Sequence, residues 1–292
     1  MSVTRMPRGG VNVKWVGLDV AKDAIAVGVL DGSSESAPRL EKIAHDEMSI
    51  RRLISRLGEP ARLRACYEAG PTGYELYRLL TSMGVGCAVI APSLVPVAPG
   101  EKIKTDRRDA RRLVRLFRAG ELVTVRVPTR QEEGCRDLCR LRGAAMVERR
   151  RARQRLGSFL LRRHVVYRDG TPWTFKHRRW LRSLAFDETG AQVTFAHLLA
   201  SVEERELRLD AIDDDLAGFF ERGVFVDDVA RLGAYRGIAP LSALGLACEV
   251  CDWRRFPALA NISKRECAGG SPPRADRNTS GRCKGSNLRP PS

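Results

Sequence analysis

Apolar and polar residues alternate along the N-terminal part of the chain in the way that is typical of β-strands. The segment VKWVGLDVA predicts a first strand, and DAIAVGVLDG predicts a second strand that closes on an Asp-Gly turn. The stretch from Ser36 through Ile43 can hold a third strand. RLRACYEA and VGCAVIAP are further strands, and the continuous apolar run of the latter indicates burial on both faces of a sheet.

Between these strands the hydrophobic spacing changes to that of amphipathic helices. SIRRLISRLGE predicts a helix that ends near Gly58, and TGYELYRLLTSMG predicts a helix with Thr72 as its N-cap and Gly84 as its stop. A strand hairpin followed by β-α-β units is how ribonuclease-H-like folds begin. The pattern therefore predicts an α/β domain of that kind.

Two longer helical patterns follow. An apolar stripe recurs at intervals of three, four or seven residues and is formed by Leu138, Leu141, Ala145, Ala152, Leu156 and Phe159. The stripe fits either a coiled-coil arm that dimerises and touches nucleic acid, or an intrachain helical hairpin with a solvated basic face. The acids of the helix that begins at Phe195 complement the arginines of the first, which favours antiparallel packing. The run from Asp213 to Asp215 is interpreted as a solvated turn.

Charge narrows the class of partner. The 292 residues include 51 Lys and Arg against 35 Asp and Glu, a net charge of +16, which favours a polyanion and above all nucleic acid. No apolar run reaches the roughly 20 residues of a membrane helix, and the N-terminus lacks the apolar core of a signal peptide. We therefore expect a cytoplasmic, nucleoid-associated protein without membrane contact.

The cysteines fit a reducing compartment. Of the eight cysteines, Cys66, Cys87, Cys135 and Cys139 lie in apolar or helical patterns, which indicates free thiols rather than a disulfide framework. Cys248 and Cys251 form a CxxC pair, but a zinc ribbon needs a second pair. The sequence alone therefore favours thiols without a metal role.

Four carboxylates stand where an acidic metal site could form. Asp19 lies in the first strand, Glu68 ends a later strand, and Asp106 and Asp109 are three residues apart, so that on a helix they share one face. Carboxylate oxygens suit Mg²⁺ or Mn²⁺, and two such ions about 4 Å apart can promote phosphodiester displacement. Taken singly, Asp106 could be a helix N-cap, Asp109 an exposed partner of Arg112, and Asp19 a turn residue.

Three motifs together indicate a family. GLDVAKD, EAGPTGYEL and KTDRRDARRL, in this order, resemble the DEDD transposases of the insertion-sequence 110 family and the related Piv-type invertases. The resemblance resumes at LGAYRGIAPLSALGLACEVCDWRRF, which is similar to the start of that family's second conserved domain. It implies a RuvC-like domain in which Asp19, Glu68, Asp106 and Asp109 bind Mg²⁺ or Mn²⁺. It also implies a homo-oligomer, a dimer or a tetramer, that recombines DNA under the direction of a structured guide RNA.

Several basic residues are candidates for contact with nucleic acid. They lie before and within the helix of Asp106, in the long basic helix, and in WTFKHRRWLRSL: Lys102, Lys104, Arg107, Arg108, Arg149, Arg150, Arg151, Lys176, Arg178 and Arg179. In the last segment Trp173, Phe175 and Trp180 could stack on bases, although the same spacing fits aromatic residues packed against neighbouring helices.

The resemblance breaks after Phe256. The family continues with a nucleophilic serine in a Ser-Ser-Gly context, whereas this chain continues with a Gly-, Pro- and Arg-rich tail that predicts disorder. Thr279-Ser280-Gly281 echoes the motif without its flanks, so we do not assign Ser280 a catalytic role. We expect a frameshift or truncation and an impaired recombinase. The alternatives are a Holliday-junction-type endonuclease, which needs only the acids and the basic surface, and a non-catalytic nucleic-acid-binding remnant.

These patterns predict four segments along the chain. A metal-binding catalytic domain spans residues 1–128, and a basic helical or coiled-coil region spans 129–222. The start of a mainly helical C-terminal domain spans 223–258, and a divergent tail spans 259–292.

Overall fold

The N-terminal half folds around one mixed sheet. The computed structural model describes residues 13–32, 37–96 and 106–253, with Asp106 and Arg107 described in their backbone alone. Six strands form the sheet in the order β3-β2-β1-β4-β5-β6. The strands are β1 (Lys14–Val20), β2 (Ala24–Asp31), β3 (Arg39–Ala44), β4 (Leu63–Glu68), β5 (Gly86–Ile90) and β6 (Thr124–Val125).

The pairing of the strands confirms the predicted hairpin and β-α-β units. β1, β2 and β3 pair antiparallel, whereas β1, β4 and β5 pair parallel. β6 adds a short antiparallel edge that the hydrophobic pattern did not indicate. The architecture is that of a RuvC-like α/β domain followed by helices, as predicted.

Three helices cover the sheet on its two faces. Helices α1 (Glu47–Leu57) and α2 (Glu75–Ser82) pack on one face through leucines and isoleucines, and α3 (Asp106–Ala119) packs on the other. Asp46 caps α1 by accepting a hydrogen bond from the Ser49 amide. The predicted N-cap of α2 was wrong, because that helix begins three residues after Thr72 and its cap residue, Tyr74, makes no side-chain cap bond.

Two helices of more than thirty residues form an antiparallel pair. They are α4 (Arg130–Leu161) and α6 (Thr189–Arg222), joined through α5 (Phe175–Arg182). Most of the predicted stripe faces this intrachain contact, and Ala145, Ala152, Leu156 and Phe159 are buried in it. The structure therefore accounts for the stripe by an intrachain hairpin.

The interpretation of Asp213 to Asp215 as a turn was wrong, because these residues lie inside α6. Arg142 of α4 donates two hydrogen bonds to the Asp213 carboxylate, at 2.5 and 3.1 Å. This partner lies 71 residues away in the chain, so local sequence could not show it.

The long hairpin is completed at its base by α7 (Val226–Gly233) and α8 (Pro240–Val250). These helices bury apolar residues against the first part of α4 and the last part of α6. At the other end of the hairpin, α5 packs against α4 and α6 through Leu181 and the aromatic residues around it.

Arg78 connects α2, which packs on the sheet, to the base of α4 through hydrogen bonds. Its guanidinium donates to Glu75 and to Glu133, both at 2.5 Å, and to the carbonyl of Pro128 at 3.2 Å. Thr129 and Glu132 form a capping box at the start of α4. The first turn of α4 is thus fixed by hydrogen bonds both to itself and to α2.

Candidate functional site

The alternation of side chains along β1 places Asp19 on the face that α3 covers. Val16 and Leu18 belong to the core beneath α1 and α2, whereas Trp15 belongs to the core beneath α3. Because successive residues of a strand point to opposite faces, Gly17 and Asp19 share the face of Trp15. Asp19 is half-buried at the carboxyl-terminal end of this strand.

Glu68 lies beside Asp19 on the neighbouring strand. β1 and β4 pair in parallel with Leu18 opposite Tyr67, so the next residues along the two strands are Asp19 and Glu68. Residues that lie side by side on neighbouring strands have their side chains on the same face of the sheet. Cys66, two residues before Glu68, belongs to the core beneath α3, so Glu68 is also on that face. The two acids therefore lie at the same end and on the same face of the sheet.

Two glycines bring α3 against this face. An ideal Cβ on Gly17 would lie 2.7 Å from the Val114 nitrogen, and one on Gly28 would lie 2.8 Å from the Ala110 oxygen. Gly17 and Gly28 are direct partners in the β1–β2 ladder. Only a residue without a Cβ allows the helix to lie this close to the sheet.

The helix runs antiparallel to β1. Trp15 contacts Phe117 edge to face with ring centroids 5.1 Å apart, and Gly17, further along β1, meets Ala110 and Val114. Continuing to Asp19 therefore leads towards the first turn of α3, which begins at Asp106. The fold brings all four predicted acidic positions to one end of the sheet, with Asp106 placed by its backbone.

The acids of this end of the sheet differ in their surroundings. Asp109 is half-buried and pairs with Arg112 at 3.7 Å, the interaction that the simpler interpretation predicted. Within the described residues, Asp19, Glu68 and Asp109 do not gather three ligand atoms within 4.8 Å of one another. The carboxylates of a site for two ions about 4 Å apart are spread over a wider area than the ligands of a single ion. A donor set made of oxygens alone suits a hard cation.

The predicted basic residues near α3 fall mostly outside the described side chains. Lys102 and Lys104 lie outside the described residues, and the side chain of Arg107 does too. Arg108 is exposed on the first turn of α3, close in sequence to both acids of that helix.

The three consecutive arginines of α4 lie on its outer surface. Arg149 is half-buried, Arg150 and Arg151 are exposed, and in the described part of the chain none of them forms an ion pair. Arg149 and Arg150 line an open cavity of about 580 Å³, whose wall also includes Gly143, Met146, Val147, Arg153, Gln154 and Trp173. This cavity combines cationic groups with an aromatic ring and exposed aliphatic side chains.

The cations of α5 divide into two groups. Arg178 is turned inward and forms an ion pair with Glu206, which also pairs with Arg153. Lys176 and Arg179 are exposed, with the Lys176 ammonium 3.5 Å from the Asp169 carbonyl. The structure thus leaves Lys176 and Arg179 accessible to a ligand and places Arg178 in an internal pair.

The aromatic residues of this segment also divide. Trp173 packs beneath Arg153, whose guanidinium carbon lies 4.4 Å from the ring centroid, and Trp180 packs against Tyr167 and His177. Phe175 is 82% exposed on the outer face of α5. Packing therefore explains both tryptophans, and Phe175 is the ring of this set that is open to stacking.

Sequence reasoning missed the buried polar centre of the hairpin. Glu206 is 7% exposed and lies between Arg153 and Arg178. His177 is also buried, against the rings of Trp173 and Trp180. Burial raises the pKa of Glu206, but the hydrogen bonds from the two arginines outweigh it, so the pKa lies below its usual value. The sequence signal that could have revealed this centre is a glutamate, Glu206, at an inward-facing position in the hydrophobic pattern of α6.

The geometry defines a RuvC-like domain with a DEDD-type acidic end, the class found in enzymes that act on nucleic-acid phosphodiesters. Comparison with known proteins agrees, because the family model of the IS110 DEDD transposases, described as "Transposase", matches residues 16–165. The chain belongs to this family of insertion-sequence transposases, which confirms the resemblance seen in its motifs.

Two relatives are similar over most of the chain. The transposase for insertion sequence element IS1533 of Leptospira borgpetersenii is 37% identical over 243 residues, which cover 82% of this chain and 70% of the relative. The protein y4qE of Sinorhizobium fredii, whose name describes it as a transposase, is 37% identical over 244 residues. That match covers 83% of this chain but 59% of y4qE, so this chain spans less than two thirds of that relative.

Helix composition adds one further finding. Among the described residues, no helix has both the length and the apolar character needed to cross a bilayer.

Proposed function

We propose that this chain is a transposase that cuts and rejoins the DNA of an insertion sequence, with Asp19, Glu68, Asp106 and Asp109 as ligands of Mg²⁺ or Mn²⁺. The observation that carries the proposal is the meeting of β1, β4 and the first turn of α3 at one end of the sheet. A divalent cation at this end would stabilise charge on the attacking and leaving oxygens of a phosphodiester. In this proposal residues 1–128 supply the chemistry, and residues 129–222 supply a basic surface for nucleic acid.

The protein's own part in this chemistry is to position the acids. Asp19 and Glu68 are fixed by the hydrogen-bonded ladder of the central strands, which is rigid. Asp106 and Asp109 are held relative to them by the contact of α3 with Gly17 and Gly28. Arg112, at 3.7 Å from Asp109, offsets negative charge while the cation is absent.

A comparison of aspartates at the two ends of the sheet tests the site. We expect Asp19→Asn to abolish metal-dependent cleavage of a supercoiled plasmid that carries the element's ends, and to weaken Mn²⁺ binding measured by calorimetry. Asp31→Asn is the matched control, because Asp31 is exposed at the opposite end of the same ladder, opposite Lys14. Equal loss in both variants, or in neither, contradicts the assignment.

We further propose that the outer surface of α4 and α5 binds nucleic acid, including a structured guide RNA. Support comes from Arg149, Arg150 and Arg151, which form no ion pair with the described residues, from the exposed Lys176 and Arg179, and from the exposed ring of Phe175. Cations that hold phosphates and a ring that stacks on a base suit looped RNA.

Salt dependence tests this surface. Each lost phosphate contact lowers the slope of log affinity against log salt by about 0.7–0.9, so replacing Arg149, Arg150 and Arg151 by alanine should lower it by about 2–3. Arg51→Ala with Arg52→Ala is the control, because both arginines are exposed on α1 and lie outside the proposed surface of α4 and α5. An unchanged slope in the triple variant contradicts the proposal.

Strand exchange is the step for which we propose impairment in the 292-residue chain. Residues 257–292 do not contain the Ser-Ser-Gly motif of the family, and Ser280 follows a threonine in place of the first serine of that motif. With guide RNA and metal present, we expect cleavage without recombined product. Recombination that is lost on Ser280→Ala would contradict this, and cleavage of branched DNA without RNA would favour a junction endonuclease.

A further inference from the structure

Three cysteine sulfurs meet where α8 packs against the base of α4, and a fourth cysteine follows α8 directly. Cys135 and Cys139 are one helical turn apart on α4, and Cys248 and Cys251 lie at the end of α8. The Sγ atom of Cys248 is 3.4 Å from that of Cys135 and 3.8 Å from that of Cys139. In the described part of the chain these three sulfurs are the one group of three or more potential ligand atoms that all lie within 4.8 Å.

The distances between the sulfurs match a shared metal ion better than a disulfide. Zn–S bonds of about 2.3 Å in a tetrahedron place neighbouring sulfurs about 3.8 Å apart, whereas a disulfide requires about 2.05 Å. The spacing along the chain agrees as well. Cys135 and Cys139 form a C-x3-C pair, and Cys248 and Cys251 form a C-x2-C pair, both within the range found in structural zinc sites.

We propose that Cys135, Cys139 and Cys248 bind one Zn²⁺ ion as a structural site that fixes α8 to α4. In the sequence, the CxxC pair lacks the second neighbouring pair that a zinc ribbon needs. The fold supplies it from a helix more than a hundred residues earlier in the chain.

Cys251 is the fourth-ligand candidate. It follows α8 with a positive φ of 55°, and its Sγ donates to the Cys248 carbonyl at 3.0 Å and accepts from Arg136 at 2.9 Å. Arg136 also donates to the Cys248 carbonyl at 2.9 Å. These contacts hold the C-x2-C turn in a fixed shape and place a guanidinium beside the Cys251 sulfur, which would carry negative charge as a metal ligand.

The apolar surroundings favour a closed site. Cys135 and Cys248 are fully buried, and they lie among apolar residues of α4, α6 and α8 that include Leu209, Leu244 and Ala247. A buried, pre-assembled thiolate set binds zinc tightly and excludes water. The cysteine site is formed by α4 and α8, whereas the acidic end of the sheet is formed by β1, β4 and α3. The zinc proposal therefore does not depend on the proposed DNA chemistry.

Metal analysis of the full-length chain tests the proposal. We expect about one zinc per chain after purification in buffer with reductant and without chelator, and a thiolate-to-metal charge-transfer band on substitution with Co²⁺. Cys139→Ser and Cys248→Ser should lose the band and release zinc at a chelator concentration at least roughly tenfold lower. Circular dichroism at room temperature reports whether these variants remain folded.

Cys87→Ser is the matched control, because Cys87 is buried in β5 and is outside the cluster. Burial raises the pKa of its thiol to about 12, so it should remain protonated and should not bind metal. This variant should retain zinc and the Co²⁺ band.

Three results would overturn the proposal. They are a folded wild-type chain that contains no zinc and gives no Co²⁺ band, a band that persists in both Cys139→Ser and Cys248→Ser, and a Cys135–Cys248 disulfide found by mass spectrometry in metal-free protein kept in reductant. Metal content is measured without DNA. A failed recombination assay would therefore count against the proposed function and not against the zinc site.

Discussion

Replacing Gly17 with alanine should separate α3 from the sheet and disable the acidic end of the domain. The new Cβ would lie 2.7 Å from the Val114 nitrogen and 2.9 Å from the Ala110 oxygen. Both atoms are backbone, so no change of rotamer relieves the overlap. The helix itself must move.

The size of the movement follows from these contacts. Ordinary van der Waals contact begins near 3.4 Å, so the Val114 backbone must retreat by about 0.7 Å, the difference between 3.4 and 2.7 Å. Overpacking of this kind costs about 1–3 kcal/mol of unfolding free energy. Misplacement of reactive groups by about 1 Å can lower rates about 100-fold. We therefore expect activity to fall by about 10- to 100-fold, more than the modest loss of stability explains.

The assay pairs plasmid cleavage with denaturant unfolding of the same preparation. Gly28→Ala should act in the same direction, because its Cβ would lie 2.8 Å from the same Ala110 oxygen. Asp19 keeps its place in β1 in both variants, so the defect lies in the distance between the strand acids and α3. Raising the Mn²⁺ concentration should restore part of the activity.

One result would refute this reasoning. If Gly17→Ala keeps both the stability and the cleavage rate of the wild type, α3 does not lie on the glycine pair at the distance seen here. A large loss of stability with an unchanged rate per folded molecule would also refute it, because the helix would then serve packing alone.

The remaining predictions concern the helical hairpin. Glu206→Gln should lower the unfolding free energy by about 1–3 kcal/mol, because two arginines would lose their charged partner, and chemical denaturation would show it. The pKa of Glu206 is lowered in the folded state, so its contribution is present above the unfolded pKa of about 4.3 and is lost as the pH falls through the folded value. The difference in stability between wild type and variant should therefore shrink at acidic pH, and a constant difference would contradict the ion pair. Gly143→Ala should stabilise α4 by about 0.5–1 kcal/mol, because a Cβ there meets nothing within 4 Å, and a lower melting temperature would contradict this.

The central sheet was predictable because its strands are bounded by local signals. Alternation marks β1 and β2, and Gly84 follows α2 with a positive φ of 83°, where the pattern placed the stop of that helix. The edge strand β6 was not predictable, because two residues carry no period. Its place depends on pairing with the end of β5.

The site was only partly predictable. The two acids on strands could be found from their motifs. The close approach of α3 depends on Gly17 and Gly28, and this role can be identified only once the position of the helix is known. Long-range partners were invisible for the same reason. Neither the pairing of Arg142 with Asp213 nor the meeting of Cys139 with Cys248 leaves a local pattern.

The anchoring of α4 by Arg78 has a mechanical consequence. A helix of 32 residues is about 48 Å long, and Arg78 of α2 donates hydrogen bonds to Glu133 in its first turn and to the Pro128 carbonyl just before it. The arginines at 149–151 stand about 30 Å from that anchor, so a tilt of about 10° at the base would carry them about 5 Å sideways. Such a displacement approaches the spacing of successive phosphates along a nucleic-acid strand. The orientation that the contacts of Arg78 give to α4 therefore sets where the proposed nucleic-acid surface at residues 149–151 would meet a polynucleotide.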